Sequence, residues 1–226
     1  MSRFNDPEQV TNEHGVVNIG GKLTPDWLLD AYTHGIFPWP VTNPKNRRES
    51  ILGWFSPDPR SIFEYEQFYV SRRLERTCKS GRFRITFDTD FAGVIRACAE
   101  RHEESGTWIT PRLIKAYIRF HRLGYAHSVE AWLGDELAGG VYGTAIGGLF
   151  AAESMFFRHR DASKVALVAL MKHLQDHDYQ LVDIQMKTAH TARLGAVEIP
   201  RSEYLRRLQS ALQHTPKPFG QIKTAR

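Results

Sequence analysis

A carboxylate and an amide alternate on one short apolar segment near the C-terminal end of the chain. In the segment LVDIQM at 181–186, the two-residue period of a β-strand predicts Asp183 and Gln185 on one face, about 7 Å apart. Polar groups on such a strand need hydrogen-bond partners. The pair is therefore either a structural pair at the surface or a loop, or a site where Asp183 orients Gln185 toward a reacting carbonyl or amine.

A second predicted strand carries a lone carboxylate. The segment LFAAESMFF at 149–157 puts Glu153, Met155 and Phe157 on one face. A glutamate between apolar neighbours is often a surface residue, but in an apolar cleft its charge would attract a cationic group. Met155 suits either a core or a site that admits several apolar side chains.

Two tryptophans, Trp39 and Trp108, lie in predicted loops beside Pro38 and Thr107. A loop tryptophan is commonly a packing anchor. The same ring can stack on an exposed nucleotide base, which typically contributes about 1–3 kcal/mol.

The segment 72–84 is strongly basic. It contains Arg72, Arg73, Arg76, Lys79, Arg82 and Arg84, offset only by Glu75. Such a run is either a solvated helix face or a surface that contacts phosphates.

The elements that would position these residues fall into two groups. Thr24-Pro25 predicts the start of a helix and Gly35 its end, and the proline-rich segment 36–60 predicts irregular structure with hydrophobic anchors. We therefore predict a small N-terminal domain over 1–66 and a larger domain over 67–226. A basic helix at about 68–79 would link them, and the polar tail after residue 208 would be flexible and poorly packed.

The larger domain alternates between strand and helix patterns. Strands are predicted at 83–87, 127–132, 137–145, 148–157 and 180–186, and helices at 90–101, 111–123 and 161–174. This order predicts a mixed α/β fold.

Composition bounds the class of protein. The 226 residues are 42% hydrophobic and 24% charged, as in globular proteins, and no apolar run is long enough for a membrane helix. The net charge of +5 permits a polyanionic partner. Cys78 and Cys98 form no disulfide framework, the N-terminus has no secretory pattern, and no HExxH zinc motif occurs, so we expect a cytoplasmic protein without a metal.

Several short motifs occur in a fixed order along the chain. They are GIFPW at 35–39, WFSPDPR at 54–60, GTWI at 106–109, ESMF at 153–156, ASK at 162–164, DIQ at 183–185 and HTARLGA at 190–196. Together they resemble the bacterial leucyl/phenylalanyl-tRNA–protein transferases over about residues 15–208.

The resemblance implies transfer of Leu, Phe or Met from aminoacyl-tRNA to an N-terminal Arg or Lys of a protein, which creates an N-end-rule degradation signal. It implies a GNAT-like acyltransferase domain. We expect no cofactor, and we expect a monomer because nothing in the sequence suggests an obligate dimer. It also implies roles for particular residues: Asp183 and Gln185 in catalysis, Trp39, Trp108, Glu153, Met155 and Leu170 in substrate binding, and Arg72, Arg73, Arg76 and Lys79 in tRNA binding. The family pattern has a glycine where this chain has Ala152 and a small polar residue where it has Phe157, and both differences affect the width of the pocket.

The chemistry implied is attack of an α-amine on an ester. An amide such as Gln185 is not a base, so it would orient the nucleophile or stabilise developing charge while Asp183 fixes its direction or relays a proton. Proton transfer through a ribose hydroxyl of the donor is an alternative that the sequence leaves open.

Two other functions are compatible with parts of the sequence. An acetyl-CoA-dependent N-acetyltransferase would share the fold, but the turn at 160–165 (RDASKV) has Ser163 and Val165 in place of the small residues that cradle pyrophosphate, and Asp161 adds negative charge. A non-catalytic RNA-binding module would use the basic segment and leave Asp183, Gln185 and Glu153 without a role.

Overall fold

The computed structural model describes residues 2–10, 12, 14–42, 50–101 and 108–220. Its strands are β1 Val16–Ile19, β2 Phe37–Thr42, β3 Ser50–Phe55, β4 Arg60–Phe63, β5 Arg84–Phe87, β6 Ala126–Leu133, β7 Glu136–Ile146, β8 Leu149–Phe157, β9 Leu181–Gln185 and β10 Val197–Ile199. Its helices are α1 Pro25–Thr33, α2 Arg72–Lys79, α3 Phe91–Arg101, α4 Pro111–Arg122, α5 Ala162–Asp176, α6 Ala189–Ala192 and α7 Arg201–Gln213. Within the described ranges, no helix combines the length and the apolar character needed to cross a bilayer.

Seven strands form the main sheet, in the order β10-β4-β9-β8-β7-β6-β5. All neighbours are antiparallel except β8 and β9, which are parallel. A parallel pair needs a long crossover, and α5 supplies it. The order of three antiparallel strands, a helix and a parallel strand confirms the predicted mixed α/β fold and is the one expected of a GNAT-like domain.

Helices cover both faces of this sheet. On one face, Leu170 of α5 packs in a cluster with Val141 and Phe150. On the other face, the neighbouring residues Tyr142 and Ala151 pack with α3 and α4. The alternation follows from the two-residue period of a strand.

A smaller sheet of three strands, in the order β1-β3-β2, lies toward the N-terminus. The prediction of irregular structure over 36–60 is therefore wrong for β2 and β3. Pro38 and Pro40 occupy alternate positions of β2, which is an edge strand paired only with β3. Because alternate N–H groups of an edge strand point away from its partner, these prolines remove no hydrogen bond from the ladder.

The strand β4 belongs to the main sheet, although the sequence assigns it to the N-terminal domain. It lies between β9 and β10. Since the chain changes sheets between β3 and β4, we propose a domain boundary near residues 56–59 in place of 66. The basic helix also starts later than predicted, at Arg72, where the Ser71 hydroxyl accepts a hydrogen bond from the Leu74 N–H at 3.3 Å.

The C-terminal segment packs more closely than the sequence predicts. Helix α7 runs to Gln213, and its Leu208 and Ala211 are fully buried. Further on, the Phe219 ring is 7% exposed and stacks on the His127 ring with 4.3 Å between centroids. The expectation of a poorly packed tail is wrong for α7 and for Phe219, whereas most of the residues between them are exposed or half-buried.

Candidate active site

The cleft that holds most of the predicted site forms where β8 and β9 separate. The two strands pair over only three positions, ending at Ala151 and Asp183. Beyond that point a cleft of about 370 Å³ opens between them. It is lined by Phe63, Val141, Ala152, Glu153, Ser154, Met155, Phe157, Ser163, Leu167, Ile184, Gln185, Met186, Thr188, His190 and Thr191.

The predicted substrate residues differ in their relation to this cleft. Glu153 and Met155 line it, and so do Ala152 and Phe157, the two positions that depart from the family pattern. Leu170 does not line it, because its side chain is fully buried among the core residues of α5.

Two phenols from different helices hold the Glu153 carboxyl group. Tyr32 of α1 donates to Oε1 at 2.6 Å, and Tyr117 of α4 is positioned to donate to Oε2 at 3.2 Å. The two hydroxyl groups also contact each other. Burial raises the pKa of Glu153 to about 7, against the lowering effect of the phenol hydrogen bonds. Near neutral pH this carboxyl group can therefore be neutral or charged.

Asp183 lies beneath the cleft and does not line it. Its carboxylate is fully buried and accepts hydrogen bonds from Arg60 Nε at 2.9 Å, Arg60 Nη2 at 2.6 Å and the Tyr204 hydroxyl at 2.9 Å. Arg60 also donates through Nη1 to the Gly35 carbonyl at 2.9 Å. Although burial opposes the charge on Arg60, the Asp183 carboxylate raises the pKa of its guanidinium above the ordinary value.

The prediction that Asp183 and Gln185 share a regular strand face is wrong. Ser61 of β4 pairs with Gln185 while the next residue, Ile62, pairs with Asp183, so β9 carries one extra residue. Gln185 also has a left-handed backbone, with φ of 57°. As a result, the consecutive residues Ile184, Gln185 and Met186 all line the cleft.

Asp183 nevertheless contacts Gln185 through the main chain. The Gln185 N–H donates to Asp183 Oδ1 at 2.9 Å. In the orientation that satisfies its hydrogen bonds, the Gln185 side-chain amide donates to the carbonyls of Ala152 at 2.9 Å and Ile184 at 3.1 Å. Its carbonyl oxygen is then on the side of Glu153. The buried carboxylate therefore fixes the backbone that carries a cleft amide.

The two predicted tryptophans meet next to the cleft. Their rings stack with 4.5 Å between centroids and an interplanar angle of 15°. Trp39 lies on β2 and not in the predicted loop, and Trp108 lies just before α4, next to residues 102–107, which are outside the described part of the chain. Trp39 lines an apolar groove of about 530 Å³ that shares Met186 with the cleft, so the two depressions adjoin.

The four predicted tRNA-binding residues lie on α2, but they are not equally available. Arg72, Arg76 and Lys79 are exposed, and Lys79 pairs with Glu75 one turn earlier at 2.6 Å. Arg73 binds the Asp161 carboxylate with both terminal nitrogens, at 2.5 and 3.0 Å.

One group of side chains has the composition of a metal site. Asp88, His121 and His127 bring ligand atoms within 4.8 Å of one another. Their hydrogen bonds already account for this arrangement: His121 Nδ1 contacts the Ala126 carbonyl at 2.7 Å, and His127 Nδ1 contacts Asp88 Oδ2 at 2.7 Å.

Comparison with known proteins matches nearly the whole chain. The family model for leucyl/phenylalanyl-tRNA protein transferase matches residues 62–209, and the model for its N-terminal domain matches residues 21–58. The chain belongs to this family. It is 48% identical over 223 residues to the leucyl/phenylalanyl-tRNA–protein transferase of Magnetococcus marinus, which covers 96% of this chain and 92% of that relative. It is 51% identical over 199 residues to the enzyme of the same name from Solidesulfovibrio magneticus, which covers 87% of this chain and 78% of that relative.

Sequence reasoning missed four residues that hold the carboxyl groups of this family member. Tyr32, Arg60, Tyr117 and Tyr204 all have buried side chains that contact Glu153 or Asp183. Arg60 could have been found from the sequence, because it is the last residue of the motif WFSPDPR. The tyrosines resemble ordinary core residues on their helices, and only the tertiary contacts distinguish them.

Proposed function

We propose that this protein transfers Leu, Phe or Met from aminoacyl-tRNA to the N-terminal Arg or Lys of an acceptor protein, and so creates an N-end-rule degradation signal. The family membership and the names of the relatives support the donor and the type of reaction. The observation that carries the proposal is the apolar cleft between β8 and β9, in which a carboxyl group and an amide face the same space. We also propose that the protein acts as a monomer in the cytoplasm.

The cleft fits the two substrates in different ways. Met155, Leu167 and Ile184 offer apolar contacts to the side chain of the donor amino acid. We propose that Glu153, in its charged form, pairs with the cationic side chain of the acceptor. The stacked Trp39 and Trp108 beside the cleft would bind the terminal adenosine. Leu170 would support the wall from behind.

The reaction needs positioning more than a strong base. The acceptor α-amine, with a pKa near 8, attacks the ester carbonyl; the new C–N bond forms, the C–O bond breaks and the ribose oxygen leaves with a proton. Holding the reactants in place can lower the barrier by about 7–11 kcal/mol. We assign Gln185 to orient the reacting groups and Asp183 to fix Gln185 through its backbone N–H. The proton passes through this pair or through the donor's own ribose hydroxyl.

The rest of the tRNA would contact α2. Arg72, Arg76 and Lys79 project into solvent on this helix, and each phosphate contact strengthens binding in a salt-dependent way. Family membership does not support the acetyl-CoA alternative.

The decisive experiment uses three donors and two acceptors. Purified protein is incubated with tRNA charged with labelled Leu and a peptide that begins with Arg, and we expect label in the peptide. A matched peptide with an acetylated N-terminus should receive none, because it has no free α-amine, and acetyl-CoA should not replace the donor. Phe-charged tRNA should also serve. If neither charged tRNA supported transfer, the proposal would be contradicted.

A further inference from the structure

A small basic pocket adjoins the catalytic cleft. It has a volume of about 230 Å³ and lies between the start of α2, the start of α5 and the end of α6. Its lining comprises Tyr69, Ser71, Arg73, Leu74, Lys164, His190, Arg193 and Leu194.

Positive charge in this pocket exceeds negative charge. Arg73 is bound by Asp161, and the Lys164 ammonium lies 3.7 Å from the same carboxylate. Arg193 is exposed, and no carboxylate of the described residues lies within salt-bridge distance of its guanidinium. The three cations of the pocket therefore outnumber the one carboxylate beside it, which contacts only Arg73 and Lys164, and this leaves the pocket ready to accept an anion.

The pocket also continues the line of depressions that crosses the site. His190 lines both the pocket and the cleft, and Met186 lines both the cleft and the groove at Trp39. Lys164 and Ser163, neighbours on α5, face the pocket and the cleft respectively. The order along the surface is aromatic groove, apolar cleft, basic pocket and then the basic helix α2.

We propose that this pocket binds a phosphate of the single-stranded 3′ end of the donor, with Lys164 and Arg193 as its direct ligands. The inference rests on the proposed function, because the ester in the cleft must be followed by a nucleotide chain. The acceptor is a poor alternative occupant, since its cationic N-terminus would be repelled. Arg73, held by Asp161, would contribute charge from the pocket wall.

The test compares donors that differ only in their phosphates. Lys164→Gln and Arg193→Gln are assayed with aminoacyl-adenosine, which lacks a phosphodiester, with the aminoacylated trinucleotide CCA, and with charged tRNA. We expect each variant to raise KM for the trinucleotide and for tRNA by about 10-fold and to leave KM for aminoacyl-adenosine unchanged. The dependence of log(kcat/KM) on log salt should flatten by about 0.7 for each phosphate that the variant no longer neutralises.

Controls separate this role from others. Lys172 is an exposed cation on α5, the helix that carries Lys164, and it pairs with Asp176. Lys172→Gln should change none of these values. Arg193→Lys should keep most of the affinity for tRNA and the trinucleotide that Arg193→Gln loses. Uncharged CCA should inhibit the wild type and lose that effect in the variants, which are checked for unchanged thermal unfolding.

Three outcomes would overturn the inference while leaving the proposed function intact. They are unchanged KM in both variants, equal losses with all three donors, and a change confined to KM for the acceptor peptide. Failure of the wild type to use charged tRNA would instead overturn the proposed function.

Discussion

At the scale of single residues, two carboxyl groups of the site differ in what compensates their charge. Asp183 faces a buried guanidinium that satisfies both of its oxygens, whereas the two oxygens of Glu153 accept hydrogen bonds from uncharged phenol hydroxyl groups. Burial disfavours the charged form of a carboxyl group unless a cation lies beside it. The first is therefore suited to hold structure, and the second to respond to a substrate or to pH.

Removing the Asp183 carboxylate should cost stability as well as activity. Asp183→Ala leaves the Arg60 charge buried without its carboxylate partner, so we expect the free energy of unfolding, measured by urea denaturation, to fall by about 3–5 kcal/mol. Gln185→Ala, a matched change two residues away, should lower transfer with a loss of stability of about 1 kcal/mol or less.

A double change tests the cause. Replacing both partners, as in Arg60→Met with Asp183→Leu, should recover much of the lost stability but none of the transfer activity. Equal stability of the wild type and Asp183→Ala would show that Arg60 does not depend on this carboxylate.

Glu153 should make acceptor binding depend on pH. Its pKa is about 7, so the charged form becomes the major one as pH rises through 7. This form would attract an Arg side chain. We expect KM for a peptide that begins with Arg to fall over pH 6–8, and to fall less steeply in Glu153→Gln, where only deprotonation of the acceptor α-amine still acts. Steady-state kinetics with saturating donor measure this, and an identical KM profile in the variant would contradict the assignment.

The same group should also link stability to pH. Because its folded pKa is raised above the ordinary 4.5, the folded state holds the proton longer than the unfolded state. The contribution of Glu153 to stability is therefore largest below about pH 4.5 and is lost as pH rises toward 7. Glu153→Gln should gain stability relative to the wild type between pH 5 and pH 8, as measured by thermal unfolding at each pH.

At the scale of elements, the site lies where the regular pairing of β8 and β9 ends. The parallel pair of β8 and β9 ends after three positions, and the extra residue in β9 turns Gln185 into the opening. On the other side of Met186, the hairpin of β2 and β3 presents Trp39 against Trp108. Separation of two strands makes the cleft, and a hairpin supplies its aromatic neighbour.

The hairpin should control binding of the terminal adenosine. We expect Trp39→Ala to raise KM for aminoacyl-adenosine about 5- to 150-fold, because the base loses its stacking surface. This change corresponds to a stacking free energy of about 1–3 kcal/mol. Trp39→Phe should lose less. Trp27→Phe, in a separate aromatic cluster with Phe4 and Trp54, should leave KM unchanged, and an effect of that control equal to the effect of Trp39→Phe would indicate a packing role for Trp39.

At the scale of the whole molecule, the N-terminal helix and the main sheet build one site. Tyr32 of α1 holds Glu153 of β8 across 121 residues of chain, and the Gly35 carbonyl that follows α1 accepts from Arg60. Helix α2 is tied to the start of α5 through Arg73 and Asp161. These ties fix the positions of the apolar cleft and the basic surface relative to each other.

The exposed cations of α2 should govern the affinity for tRNA and not the chemistry. Changing Arg72, Arg76 and Lys79 together to Gln should raise KM for charged tRNA. It should also reduce the slope of log KM against log salt by roughly 0.7–0.9 for each phosphate left without a cationic partner. Turnover of aminoacyl-adenosine should not change, since that donor does not reach the helix. A salt slope equal to that of the wild type would place the tRNA contacts elsewhere, and Arg206→Gln on α7 is the matched exposed control.

Part of this protein is determined by local sequence. The order of strand and helix patterns was sufficient for the mixed α/β fold, because hydrophobic periodicity reflects which face of each element is buried. The order of short motifs was sufficient for the family. Helix ends were also local, as at Thr110, whose hydroxyl accepts from the Leu113 N–H at 3.3 Å.

Other features were decided only when the chain folded. Prolines are compatible with β2 because that strand lies at an edge, and the position of a strand in its sheet is not a local property. Asp183 and Gln185 lie two residues apart, as on one face of a regular strand. The irregular pairing with β4 instead places the Asp183 side chain in the core and the Gln185 side chain in the cleft. Among the side chains that hold Asp183 and Glu153, Arg60 and Tyr32 lie more than a hundred residues away along the chain, and Tyr117 and Tyr204 lie nearer. A buried charge must be neutralised or hydrogen-bonded, but which side chain does so depends on packing in three dimensions.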